Sequence, residues 1–252
     1  MEILNTIISL SGLIALLSIL YLRYQNKIKL GFSFDKWAPG ELILGISIAF
    51  VSVTLAFLAL KIGGFIEIKS IALDTPKFFK GLGTYAIGAA AEEIIFRVGL
   101  LLLLIYLLKN IWVAILLQII LFGVLHITNP SATLLTAFSN AIGGLMYSIA
   151  LIYTGRIWMP FSLHVFWNFA QSFWGFNVSG LTWYSDIFVH LNPVGTKYLS
   201  GGEYGLEGSI IGIIARLLVL VLIVVTSKLI QNYYPQIIKN QYSILPQSLR
   251  PT

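Results

Sequence analysis

No cysteine occurs in the 252 residues, which removes disulfides, a thiol nucleophile and a thiolate-bound metal together. Charge is scarce: only 10% of residues are Asp, Glu, Lys or Arg, against 58% hydrophobic, and mean hydropathy is +0.88. Such values lie far outside a soluble domain and make lipid the expected solvent. The only aspartates, Asp35, Asp74 and Asp186, fall in polar segments, which excludes a membrane aspartyl dyad. No H-E-x-x-H helix and no G-x-S-x-G elbow occurs. Internal repeats and low-complexity tracts are missing too. A formal charge of +6 does not indicate nucleic-acid binding, because the basic residues stand at the ends of apolar runs instead of forming one patch.

What is present is a series of apolar runs. Crossing the bilayer core takes about 20 apolar residues per helix, and such runs fall near residues 3–22, 41–60, 82–108, 111–127, 132–153, 157–174 and 208–228. The fold class is therefore all-α: a polytopic transmembrane helical bundle of about seven spans, integral to the membrane (the cell membrane in a prokaryote) and in contact with its lipid. The first run lacks a basic leader and a small-residue cleavage site, so it reads as a retained helix. "KIGGFIEIKSIALDTPKFFK", residues 61–80, is too charged to cross lipid and is expected to lie at the interface as an amphipathic segment. Three regions follow: residues 1–81 with two helices and that segment, a core over 82–174, and 175–252 with the longest loop, the last span and a tail. That tail, "QSLRPT", reads as exposed. An N-outside, C-inside orientation puts Arg23, Lys27, Lys29, Lys36, Lys109, Arg156, Lys228, Lys239 and Arg250 inside, against Lys61, Lys69, Lys77, Lys80 and Lys197 outside.

Ions inside a span need a reason, since each costs about 2.5–3.5 kcal/mol at mid-bilayer on insertion scales and usually faces a protein interior or a watery cavity. "AAAEEIIFRVGLLLLLIYLL", residues 89–108, carries Glu92, Glu93 and Arg97. Spaced i, i+4, Glu93 and Arg97 share a helix face and can pair, while Glu92 points about 100° away. Glu93 is then neutralised and Glu92 is free to take a proton. The competing reading is a buried ion network that only fastens helices. Gly143 and Gly144 in the fifth span read as close-packing residues.

Two of the three histidines share this setting. His126 follows Phe122 by one turn, and His164 and Asn168 project from one face at i, i+4. Singly, each suits a helix-packing hydrogen bond; together with Glu92 they outline a polar intramembrane cavity among three helices. His190, in the long loop, has no partner pattern. A glutamate with a histidine can polarise water as general base and then protonate a leaving amine. The oxyanion formed on a peptide bond needs donors at about 2.7–3.1 Å, a task that suits Asn168 and His164. The rival assignment makes Glu92, His126 and His164 ligands of one zinc with water in fourth position. Asn168 decides little by itself, but an amide is a poor zinc ligand and a good donor, and the expectation is hydrolysis without a cofactor.

The ordered set Glu92-Glu93-Ile-Ile-Phe-Arg97, Phe122-Gly-Val-Leu-His126 and His164-Val-Phe-Trp-Asn168 resembles the E-E-x-x-x-R, F-x-x-x-H and H-x-x-x-N motifs of the CPBP intramembrane proteases. That family includes the type II CAAX prenyl endopeptidases and bacteriocin-processing or immunity proteins. The resemblance covers about residues 82–174. It implies that Glu92 activates water together with His126, that His164 and Asn168 stabilise the oxyanion, and that Glu93 and Arg97 support them. It also implies a peptide or prenylated protein as substrate: prenylated C-terminal tails, leader peptides or signal-peptide remnants.

Two other classes stand beside the endopeptidase. A membrane scaffold or immunity factor would use the cluster only to fasten helices, and a solute or ion carrier would use the acids as a proton relay. Asn168 one turn after His164 argues against the carrier. Arg216, inside the last span, is expected to snorkel or pair with a buried acid, or else to hold the free carboxylate of a substrate tail.

Overall fold

The structure, a computed structural model, describes residues 2–25 and 29–233, with side chains over 10–25 and 29–228. Lys27, Lys239, Arg250 and "QSLRPT" lie outside the described residues. The elements in order are α1 (Glu2–Gln25), α2 (Ala38–Ile62), β1 (Ile66–Ile71), α3 (Thr75–Glu92), a π-helical stretch Glu93–Leu101, α4 (Leu102–Leu108), α5 (Ile111–Leu125) and α6 (Leu134–Thr154). After these come α7 (Trp158–Phe173), β2 (Val189–Pro193), the short α8 (Lys197–Ser200) and α9 (Ile210–Tyr233). Every apolar run of the sequence coincides with a helix. Four of them, Ala38–Ile62, Ile111–Thr128, Leu134–Thr154 and Ile210–Lys228, are long and apolar enough to cross a membrane.

Local chemistry sets the helix ends. Asp74 caps α3 by accepting from the Lys77 amide at 2.9 Å, and Pro76 occupies its first turn. Asn110 caps α5 through the Trp112 and Val113 amides, and Thr133 with Thr136 forms a reciprocal box at the start of α6. Gly155, at φ 65°, takes the left-handed turn that ends α6.

The segment 61–80 departs from expectation. Residues 66–71 form β1, paired antiparallel with β2 from Ile66↔Pro193 to Ile71↔Val189, with an irregularity between Ile68 and Ser70. The alternation in "IEIKSI" is the period of a strand, but its partner lies more than 115 residues downstream, so periodicity alone could not reveal the pairing. α3 then begins at Thr75, seven residues before the expected third span, and the long loop is tied down through β2.

α7 sits at the centre, packed by α2, α3 and α6. Its closest neighbour is α2, where a Cβ on Gly45 would fall 2.8 Å from the Met159 carbonyl and 2.9 Å from the Leu163 amide; only glycine admits that approach. Outward faces carry exposed Ile43, Val51 and Leu58 on α2, Leu116 and Ile120 on α5, and Ile214, Leu217 and Val221 on α9. Apolar exposure of this extent suits acyl chains, not water. At the α6–α7 turn, buried Arg156 binds Asp35 at 2.9 Å and is gripped by Glu41 on α2. It is thus neutralised and not a free charge in the orientation count.

Candidate active site

The motif residues meet where α3 gives way to the π-helical stretch. In that stretch hydrogen bonds run i→i+5, a form concentrated at functional sites, and its first residue is Glu93. α1 packs against it: a Cβ on Gly99 would stand 2.8 Å from the Ala15 Cβ. Arg97 reaches Glu93 Oε1 at 3.3 Å with both side chains buried, as their spacing predicts. Their surroundings do more than pair them.

His164, on α7, receives both glutamates. Its Nδ1 lies 2.8 Å from Glu93 Oε1 and its Nε2 lies 3.8 Å from Glu92 Oε2. With Nδ1–H donating to Glu93, Nε2 is the nitrogen nearer Glu92. The spacing predicts the Glu93–Arg97 pair, which is present; what it does not predict is that Glu93 meets the same imidazole as Glu92. Tyr147 of α6 lies flat on that ring, centroids 4.3 Å apart and planes 16° from parallel.

His126 lies apart from this pair. It ends α5, with Nδ1 2.7 Å from the Phe122 carbonyl, and makes no ion pair with a carboxylate among the described residues. Its link to the cluster runs through aromatic contacts: the Phe122 ring is 4.6 Å from the His126 ring, and the Arg97 guanidinium lies 4.5 Å from Phe122 and 4.9 Å from Tyr147. Asn168, half-buried one turn beyond His164, makes no hydrogen bond to another described residue. Glu92 keeps 37% of its side chain exposed, so the cluster is an open cleft edge and not a sealed chamber. A cavity of about 180 Å³ does occur, but Asn177, Asp186, Asn192 and Glu203 of the loops line it, away from the cluster. His190, on β2, pairs with Asp186 at 3.1 Å outside the site.

The zinc arrangement would need Glu92, His126 and His164 to converge. Among the described residues no group of three His, Cys, Asp or Glu side chains is placed to hold a metal ion. Each histidine has Nδ1 against a protein oxygen, an arrangement that orients metal-ligating imidazoles as well as hydrogen-bonding ones, so chelation and not this contact separates the two readings.

A second buried ion pair stands behind the first. Arg216 on α9 binds Glu207 at 2.6 Å, both side chains 2% exposed, and also donates to Ser139 and Asn140 of α6. Glu207 accepts from Trp167 at 2.9 Å and Gln171 at 3.2 Å on α7, and from Ser179. Burial pushes the Glu207 carboxyl up, but the Arg216 guanidinium, Ser179 and Trp167 outweigh it and hold the group below the usual carboxylate range, with His126 adding to the pull. Of the readings given for Arg216, pairing with a buried acid is the one seen. With its guanidinium so engaged it is not poised to hold a substrate carboxylate. Glu207 carries no motif; its only signal in the sequence is that a buried Arg216 demands an acid.

A bundle of membrane-crossing helices with carboxylates and imidazole gathered inside it defines the setting of an intramembrane hydrolase. Residues 74–170 match the family described as Type II CAAX prenyl endopeptidase Rce1-like. The matched segment runs from the cap of α3 into α7 and contains Glu92, Glu93, Arg97, His126, His164 and Asn168. Over these residues, which are less than half of the chain, it is similar to that family of CAAX-type proteases. No curated protein and no solved structure matches the chain.

Proposed function

We propose that the protein is a glutamate-type intramembrane endopeptidase, acting on a peptide or prenylated protein such as a CAAX-type C-terminal tail or a leader or signal peptide. The observation that carries this reading is the 3.8 Å gap between Glu92 Oε2 and His164 Nε2. That separation is too long for a direct hydrogen bond and suits one bridging water. Glu92 Oε2 has no hydrogen-bond partner of its own.

In this mechanism Glu92 takes a proton from the bridging water as its oxygen attacks the scissile carbonyl carbon. The carbonyl π electrons move onto oxygen, where the Asn168 amide and the Nε2–H of a doubly protonated His164 ring, its charge balanced by Glu93, donate to the oxyanion. Collapse breaks the C–N bond, and Glu92 returns the proton to the leaving amine, giving a new carboxyl and a new amino terminus. Glu93 holds His164 by its Nδ1–H, and Arg97 pairs with Glu93. His126, its Nδ1 committed to Phe122, has Nε2 left for the part in activating water that the family resemblance implies. No step passes through a metal.

The test is incubation of the purified full chain, in chelator, with prenylated and unprenylated peptides, read by mass spectrometry. Cleavage of at least one class, retained in chelator and lost in Glu92→Gln, is the expected outcome. Cleavage that stops in chelator and returns with zinc rejects the metal-free mechanism.

A further inference from the structure

Tyr147 belongs to none of the three motifs, yet it makes the closest aromatic contact to the imidazole that the proposed reaction uses. It is 2% exposed, on the face of α6 turned toward α7, and its ring covers one side of His164 while Glu93 and Glu92 hold two of the ring's edges. Its other neighbour is the Arg97 guanidinium, 4.9 Å from the ring centroid. Glu93, Arg97, Tyr147 and His164 therefore close into a ring of four contacts: ion pair, cation–π, stack and hydrogen bond.

We infer that Tyr147 is a positioning residue whose ring fixes the rotation of the His164 imidazole, so that Nε2 stays aimed at Glu92. A single hydrogen bond at Nδ1 leaves the imidazole free to swing about its Cβ–Cγ bond, because that torsion is broad. A flat aromatic surface at 4.3 Å removes the swing. The same ring shields Arg97 from lipid and, through Arg97 over Phe122, couples His164 to the element that holds His126. The hydroxyl makes no hydrogen bond to a described residue, so the aromatic face and not the oxygen carries the role.

This inference rests on the proposed use of His164, and two readouts keep the two claims apart. The first is the imidazole resonance of His164 in isotope-labelled protein in micelles, assigned by its loss in His164→Asn. Stacking shifts it by ring current; Tyr147→Phe should leave the shift in place, and Tyr147→Leu should abolish it. An unmoved resonance in Tyr147→Leu overturns the stack whether or not any peptide is cleaved. The second is cleavage kinetics on the peptide identified above, where Tyr147→Leu should lower kcat up to about 100-fold, the size of a misplacement near 1 Å, with KM unchanged and Tyr147→Phe near wild type. Equal losses in both variants would assign the effect to the hydroxyl and reject the inference. Tyr147→Met replaces the leucine variant if that one fails to fold. Were Glu92→Gln to cleave normally, the protease reading would fail while the resonance still judged the stack.

Discussion

Among the described residues two arginine–glutamate pairs have both side chains at 2% exposure or less, Arg97–Glu93 and Arg216–Glu207, and they are finished to different degrees. Around Glu207 both carboxylate oxygens are satisfied, one accepting from Arg216, Trp167 and Gln171 and the other from Ser179, although Arg216 Nε and Gln171 Oε1 have no hydrogen-bond partner. Around Glu93 one carboxylate oxygen is open: Glu93 Oε2 and the Arg97 Nε and NH1 groups have no hydrogen-bond partner, and Glu92 Oε2 beside them has none. Buried polar groups are normally satisfied, and each exception asks for an explanation. A pair whose carboxylate is fully hydrogen-bonded braces α6, α7 and α9; one whose carboxylate keeps an open oxygen leaves an acceptor for water and substrate. The difference separates structural charge from reactive charge where sequence composition cannot.

The comparison can be broken first on stability. Glu207→Leu strands the Arg216 charge and should cost about 3–5 kcal/mol, read as a large drop in melting temperature in detergent. Adding Arg216→Leu should recover much of it, because a buried pair replaced whole is often near neutral. A single variant as stable as wild type would deny Glu207 its bracing role. On the reactive side, Asn168→Ala should lower kcat by about 100-fold, the scale of one oxyanion donor, with the melting temperature retained because that amide has no partner to lose. Loss of stability in place of activity would return Asn168 to packing.

A smaller effect follows from titration. The Glu207 carboxyl is held below its ordinary value of 4.5 in the folded chain. A depressed folded value means that its stabilisation is complete above the unfolded value and drains as pH falls through the folded one. Melting temperature should therefore fall on acidification below about pH 4.5, and Glu207→Gln should flatten that limb. An unchanged acid limb in the variant would assign the slope to other carboxylates.

How much of this was legible in sequence depends on range. The Glu93–Arg97 pair could be read because four residues on one helix are neighbours by construction, and the apolar runs because lipid imposes their length. Glu92 meeting the same imidazole as Glu93 was hidden by the π-helical turn at Glu93, which alters the angle that an α-helix would give. β1 showed its alternation but not its partner β2, and Arg216 announced a missing acid without saying that it was Glu207. Tyr147 gave no signal, since stacking between α6 and α7 is a tertiary event in a helix already full of apolar residues. His126 joins Glu92 in activating water only through the family resemblance, and its own contacts are with Phe122.

The most direct measurement is the cleavage rate of Glu92→Gln beside wild type, with melting temperature taken on the same preparations. Removal of the proton acceptor while keeping the amide's shape should cut the rate by about 10²–10⁴-fold and leave the melt in place. A Glu92→Gln protein that cleaves at the wild-type rate, or loses its fold instead of its activity, would contradict the assignment of the pair with the open carboxylate oxygen to chemistry.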